Sequence, residues 1–231
     1  MARSISPERL EQIVSVATAS FGRLGYRRTR MADVSADAGM SSGAIYTYVE
    51  SKEALFYLVI AAGFGLTDVD SNLPVATPPF EETLRLIRVG FKERGTTPVL
   101  RSAIARDAPE NVRDELAGVV LEHYDVVASL ARILPVIEKC AADLPDLEAL
   151  YFGRRRRQQI DLLVEYVALR TRGGYFVDFS DAAVTAQIIT ETVAWCAWKR
   201  REGHDATRFD DAVCREIATS FVAHALLGTT S

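Results

Sequence analysis

The stretch MADVSADAGMSSGAIYTYV at residues 31–49 constrains this chain more than any other. It predicts a short helix, a tight turn and a second short helix. Met31, Val34 and Ala38 recur at helical spacing, and Ala38 is small enough for another helix to pack closely on it. Gly39 supplies a residue that takes positive φ at no steric cost, the usual way to stop a helix sharply. Ser41 is the expected N-cap of the second helix, with Ile45 and Val49 on its buried side. Ser42, Gly43, Ala44, Thr47 and Tyr48 then lie elsewhere on its surface. Small residues at a helix N-terminus permit close approach to base edges, as a recognition helix requires.

The flanking segments support such a unit. Ser6 and Pro7 open a helix whose apolar residues Leu10, Ile13, Val14, Ala17, Phe21 and Leu24 fall on one face, and Gly25 ends it. That helix is expected to pack across the two motif helices. Ser51 caps a fourth helix from Lys52 to about Gly63, apolar on more than one side and therefore placed to connect two parts of the molecule. Arg23, Arg27, Arg28 and Arg30 cluster just before the motif. The whole chain carries −4, but residues 1–60 hold 7 basic and 6 acidic side chains and the remainder 20 and 25. An acidic protein with one basic cluster suits a single DNA-facing surface, because phosphate contacts supply much of the affinity.

Residues 22–52 resemble the N-terminal domain of the TetR family of transcriptional regulators. The resemblance rests on Phe21–Gly22, Gly25–Tyr26, Thr29, Val34, the AGMS of residues 38–41, Gly43, Ile45–Tyr46, Tyr48 and Ser51–Lys52. Arg30 stands where the family commonly has Thr, and Met40 and Val49 replace the commoner Val and Phe. The resemblance implies that Ser41, Ser42, Gly43, Ala44 and Thr47 lie at the recognition end, the last four facing base edges. Tyr46, Tyr48 and Lys52 would contact phosphates, with Thr29 and Arg30 contributing from the preceding helix. It also implies a two-fold homodimer reading a palindromic double-stranded operator, and a small-molecule effector held among the helices of a larger domain.

The rest of the chain reads as helices. Residues 67–79 hold Asp, Ser, Asn and three prolines and form the clearest loop. Helices follow from Phe80 to Gly95, from Thr97 to about Asp107, and from Asn111 onward, where Pro135 either ends or kinks the helix. After Pro145 comes a helix to about Thr171 that begins near Arg154–Arg157, four arginines expected on a solvated face with acidic neighbours. Ser180 is the expected cap of a helix to about Lys199, and Asp210 of a last one ending near Gly228. Both are apolar around much of their circumference, so residues 180–199 and 210–227 are the expected dimer interface. The fold class is all-α: a three-helix helix-turn-helix domain at residues 1–51, then a helical ligand-binding and dimerisation bundle at 52–231.

Other chemistry is not visible. The longest uncharged apolar run, residues 55–66, is too short to cross a bilayer. No leader precedes the first helix, so a cytoplasmic protein without membrane contact is expected. Cys140, Cys196 and Cys214 have no disulfide or zinc spacing and read as buried thiols. His123, His204 and His224 are too scattered for a metal site, no phosphate loop or nucleophile elbow occurs, and neither cofactor, metal nor catalysis is expected. Phe64, Phe91, Ile104, His123, Tyr124 and Leu163 are the candidates for an effector site, on apolar faces that suit a mostly apolar or aromatic molecule. Two alternatives are a DNA-binding regulator controlled by a protein partner and an all-α enzyme.

Overall fold

The computed structural model describes residues 7–66, 73–202 and 209–228; the expected cap at Ser6, part of the Pro-rich loop and His204 lie outside the described residues. Every regular element among the described residues is helical, and the one pairing of extended backbone is a single parallel bridge between Val49 and Val75. The chain divides into two compact units. One comprises Met1–Glu93 with Arg132–Gly153, the other Arg94–Ala131 with Arg154–Ser231.

The first unit is built on α1 (Pro7–Leu24), whose Ile13, Ala17 and Phe21 are fully buried against α3 (Lys52–Gly63) and α7 (Leu134–Ala141). Phe21 stacks on Tyr26, and Phe56 meets both rings edge-on. α2 (Met31–Asp37) ends at Gly39, whose φ of +68° is the left-handed conformation the motif predicted. Ser51 caps α3 as expected, its Oγ accepting from the Ala54 N–H at 3.1 Å. α4 (Phe80–Arg94) lays Phe91 edge-on to Phe64, while α8 (Pro145–Leu150) follows α7 after a short turn.

The second unit is a bundle of α5 (Pro98–Ile104), α6 (Val112–Ser129), α9 (Arg157–Arg172), α10 (Ala182–Ala197) and α11 (Asp211–Leu227). Asn111 and Asp210 cap α6 and α11 through their side chains. The seven-residue α5 is too short to hold itself together and is clamped by charge at both ends. Glu122 accepts from the N–H groups of Val99 and Leu100 at its start, at 2.7 and 3.0 Å. At its end the guanidinium of Arg170, fully buried, donates to the carbonyls of Ala103 and Arg106 and binds both oxygens of Glu115.

Three sequence expectations change, and one left open is decided. The second motif helix is a single four-residue 3₁₀ turn, Ala44–Thr47, preceded by Gly43 with no side-chain cap, and Ser41 offers its carbonyl to Ala44 instead. Its Ile45, Thr47 and Val49 are β-branched, Thr47 bonds back to the Ala44 carbonyl, and the backbone on either side of Val49 pairs with Val75. Asp181, not Ser180, caps α10, because Ser180 sits at φ +70° in the turn before it. Of the two outcomes expected at Pro135, the helix ends and does not kink: α6 stops at Ser129 and Pro135 enters the first turn of α7. The helix expected near Arg154 begins at Pro145, and the arginines ride on a π-helical turn, Tyr151–Arg156, between α8 and α9.

Candidate nucleic-acid interface and regulatory site

Around the 3₁₀ turn, Ile45 and Val49 are buried, while Ser41, Ser42, Gly43, Tyr46 and Thr47 are exposed and Ala44 is half-buried. The apolar pair therefore anchors the turn to the first unit and leaves its small and hydroxyl-bearing residues facing outward. Beside it, the side chains of Arg27, Arg28 and Arg30 are exposed and make no hydrogen bond or ion pair among the described residues. Arg30 occupies the N-cap position of α2 without a side-chain cap, so its guanidinium is not used in folding the motif.

Three residues assigned to phosphate contact are partly committed elsewhere. Thr29 is buried and its hydroxyl donates to the Gly25 carbonyl at 2.8 Å, so its side chain fastens the turn and is not outward-facing. Tyr48 is buried, and its carbonyl accepts from the Val75 N–H. Lys52 lies 4.5 Å over the Tyr26 ring, with Nζ 3.4 Å from the Arg27 carbonyl, and its partial burial lowers its pKa. Tyr26 itself donates to Glu53 at 2.9 Å, and burial raises its pKa.

Two further residues position the surface. The Arg9 guanidinium reaches from α1 to the Ala38 carbonyl at the end of α2. Asp143, in the turn between α7 and α8, accepts from the Arg27 N–H at 2.8 Å, and its Oδ2 stands 3.0 Å from where a Cβ on Gly25 would lie. Arg9 is an ordinary amphipathic-helix charge in the sequence, and Asp143 is over a hundred residues from its partner. Neither has a local signature.

The six effector candidates divide between the units. Phe64 and Phe91 are buried on one another in the first unit, 5.2 Å between ring centroids, with Tyr151 stacked on Phe91. In the second, Leu163 and Tyr124 are buried and Ile104 packs partly buried against the same core. The Tyr124 hydroxyl donates to the Asp211 carbonyl at 3.3 Å. His123 is buried with Nε2 unpartnered, and burial lowers its pKa to about 4. Arg170 was not anticipated, since an arginine on an amphipathic helix gives no sign of burial.

On the outer side of α10 and α11, Val184, Ile188, Trp195, Val213, Ile217 and Phe221 are each about half exposed, at 49 to 59%. A groove of about 530 Å³ runs between these helices, edged by Trp195, Ile217 and Phe221, with Glu191 and Lys199 at its polar side. All three cysteines are free and buried, as the sequence suggested. Among the described residues no group of three or more His, Cys, Asp or Glu is placed to hold a metal ion, and no helix is long and apolar enough to cross a membrane.

Comparison with known proteins gives the surface a context. Residues 13–58 match the family model for bacterial regulatory proteins, tetR family. No curated protein matches the chain. Among solved structures, the ketosteroid transcriptional regulator KstR2 of Mycobacterium tuberculosis is similar over 97% of this chain and 97% of its own, at 15% identity and a TM-score of 0.55. AibR in complex with isovaleryl coenzyme A and operator DNA is 18% identical over 93% of this chain and 97% of its own, with a TM-score of 0.50. The MbdR regulator from Azoarcus sp. CIB is 16% identical over 94% and 98%, also with a TM-score of 0.50.

Proposed function

We propose that this chain, a member of the tetR family of bacterial regulatory proteins through its residues 13–58, is a ligand-responsive repressor that binds a palindromic operator as a homodimer. The observation that carries this reading is the outward placement of Ser42, Gly43, Tyr46 and Thr47 beside three arginines whose side chains have no partner among the described residues. Short side chains over base edges supply sequence preference, and free guanidinium groups supply phosphate affinity. In this reading the DNA-binding domain is residues 1–51, and residues 52–231 carry effector binding and dimerisation. Thr29 and Tyr48 support the surface from within, while Tyr46 and Lys52 reach phosphates at its rim.

The dimer forms through α10 and α11, whose six half-exposed apolar side chains make one continuous face. A two-fold interface brings each such patch against its own copy and fixes the spacing of two recognition turns on successive major grooves. A mostly apolar effector binding in the second unit favours a dimer geometry in which that spacing no longer matches the operator. A coupling of about 1–3 kcal/mol, or about 5–150-fold in operator affinity, suffices for such a switch. AibR, which holds both a coenzyme A thioester and operator DNA, supports pairing the two activities on one fold.

Fluorescence anisotropy on an operator selected from random duplexes tests the surface. Arg28→Ala and Arg30→Ala are expected to weaken binding across sequences, each flattening the salt dependence by about one counterion. Thr47→Val is expected to alter base preference at one position per half-site. Unchanged affinity, salt slope and preference in all three variants overturns this placement of the DNA surface.

A further inference from the structure

The seven-residue α5 is attached to the second unit differently from the longer helices around it. Only Leu100 and Ala103 of its side chains are buried, with Ile104 partly buried beside them; Val99, Arg101 and Ser102 are exposed. Each of α6, α9, α10 and α11 buries three or more apolar side chains in the same core. The other attachments of α5 are polar and come from charged side chains. Glu122 on α6 accepts from the Val99 and Leu100 N–H groups, and Arg170 on α9 donates to the carbonyls of Ala103, Arg106 and Asp107. Irregular chain at residues 95–97 and 105–111 joins α5 to its neighbours on both sides.

These two kinds of attachment respond differently when α5 lifts away. Apolar burial is lost outright, but here it amounts to one leucine, one alanine and part of an isoleucine. The polar attachments exchange backbone partners for water. Arg170 keeps both oxygens of Glu115 while water replaces the α5 carbonyls, and rehydration of a fully buried guanidinium offsets the bonds given up. Glu122 is half-buried and already at the edge of solvent. Charged latches thus fix where α5 sits without adding much to the cost of releasing it. Segments that open ahead of a whole domain are those with few buried apolar contacts and with bonds that water can take over.

We infer that α5 is a lid on the core of the second unit, opening as one piece while α6, α9, α10 and α11 stay folded, and that it admits the effector to the side chains it covers. The inference rests on the reading of this unit as the effector domain and assigns that domain its entrance. Leu100 and Ala103 share their core with Leu116 and Val119 of α6 and with Leu163 and Val167 of α9. An opened α5 leaves those apolar side chains facing water, a surface that an apolar molecule covers in its place. The latches at Glu122 and Arg170 then return the helix to one register when it closes.

Amide hydrogen exchange on the full-length protein tests the opening, and a reversible lock tests the entrance. In the native chain the amides of residues 101–105 are expected to exchange about a hundredfold faster than those in the middle of α6 and α9, with little response to low urea. Glu122→Ala removes one latch and is expected to speed that exchange about tenfold while leaving α9 and α11 unchanged. For the lock, a Cβ on Gly118 of α6 would stand 3.4 Å from Cγ1 of Val99, close enough for Val99→Cys with Gly118→Cys to form a disulfide, and the three native cysteines are buried. The probe is N-phenyl-1-naphthylamine, a neutral apolar dye that fluoresces on leaving water. Oxidation of the double variant is expected to slow dye uptake about tenfold or more, and reduction to restore it. Amides of α5 that exchange only as fast as those of α6 and α9, with the same response to urea, overturn the inference and leave the effector reading standing. So does dye uptake as fast with the lock closed as with it open. If α5 opens and the dye enters neither the native chain nor the reduced variant, the effector reading falls and the inference falls with it.

Discussion

Replacing Arg170 by methionine tests how the second unit holds its shortest helix. The guanidinium is fully buried and Glu115 is 6% exposed, so the substitution strips a buried carboxylate of its partner and leaves the carbonyls at the end of α5 without donors. Breaking a buried ion pair from one side costs about 3–5 kcal/mol. Arg106 remains, with Nη2 3.9 Å from Glu115, and its side chain is half exposed and able to swing closer. The expected loss therefore falls at the lower end, about 3 kcal/mol, which is a lowering of the melting temperature by about 6–12 °C for a chain of this size. Methionine keeps most of the aliphatic stem, so the loss reports charge and hydrogen bonding more than packing. Arg170→Met with Glu115→Leu removes both charges together and is expected to recover at least half of it. Urea denaturation followed by circular dichroism, at one protein concentration because the proposed dimerisation would add to stability, measures all three. A single variant costing under about 1 kcal/mol, or a double variant no better than the single, refutes the argument that this pair clamps α5.

Ile188→Asp and Phe221→Asp place a charge in the outward apolar face of α10 and α11, where both side chains are more than half exposed and contribute little to the subunit core. Each is expected to turn a dimer into a folded monomer by sedimentation equilibrium and to abolish cooperative operator binding; a dimer persisting in both variants places the interface elsewhere. His123 should make the protein sensitive to acid. Its pKa falls from 6.5 to about 4 on folding because burial disfavours the charged ring, so its contribution is complete above pH 6.5 and is lost as pH falls towards 4. The full loss is about 3 kcal/mol, and His123→Gln is expected to flatten the stability profile between those two pH values; an unchanged profile contradicts the buried, neutral ring.

What the sequence made legible was local and periodic. The glycine at the motif turn, the caps at Ser51 and Asp210 and the apolar stripes of the long helices are each fixed by neighbours within a turn or two, and they stand where their patterns placed them. The recognition segment was harder, because Ser41 followed by small residues looks like a helix start whether or not a full helix follows. Its β-branched residues and the pairing with Val75 shorten it to one 3₁₀ turn, and nothing near residue 45 announces that partner. Arg170 was illegible for a related reason. Its counter-charge and carbonyl partners lie on α6 and α5, and a charged residue on a helix face gives the same pattern whether it meets solvent or a buried glutamate.

The same distinction bears on how the proposed DNA surface keeps its shape. One 3₁₀ turn and a seven-residue helix lie far below the length at which helices hold themselves in water, so the motif cannot supply its own geometry. Its rigidity comes from Ile45 and Val49 buried in the first unit, from Arg9 on the Ala38 carbonyl, and from Asp143 on the Arg27 N–H. The last contact is the most consequential, because it ties the arginine-bearing turn to residues 132–153, a segment that enters the first unit from, and returns to, the second. The motif is thus held by contacts with residues distant from it in the sequence.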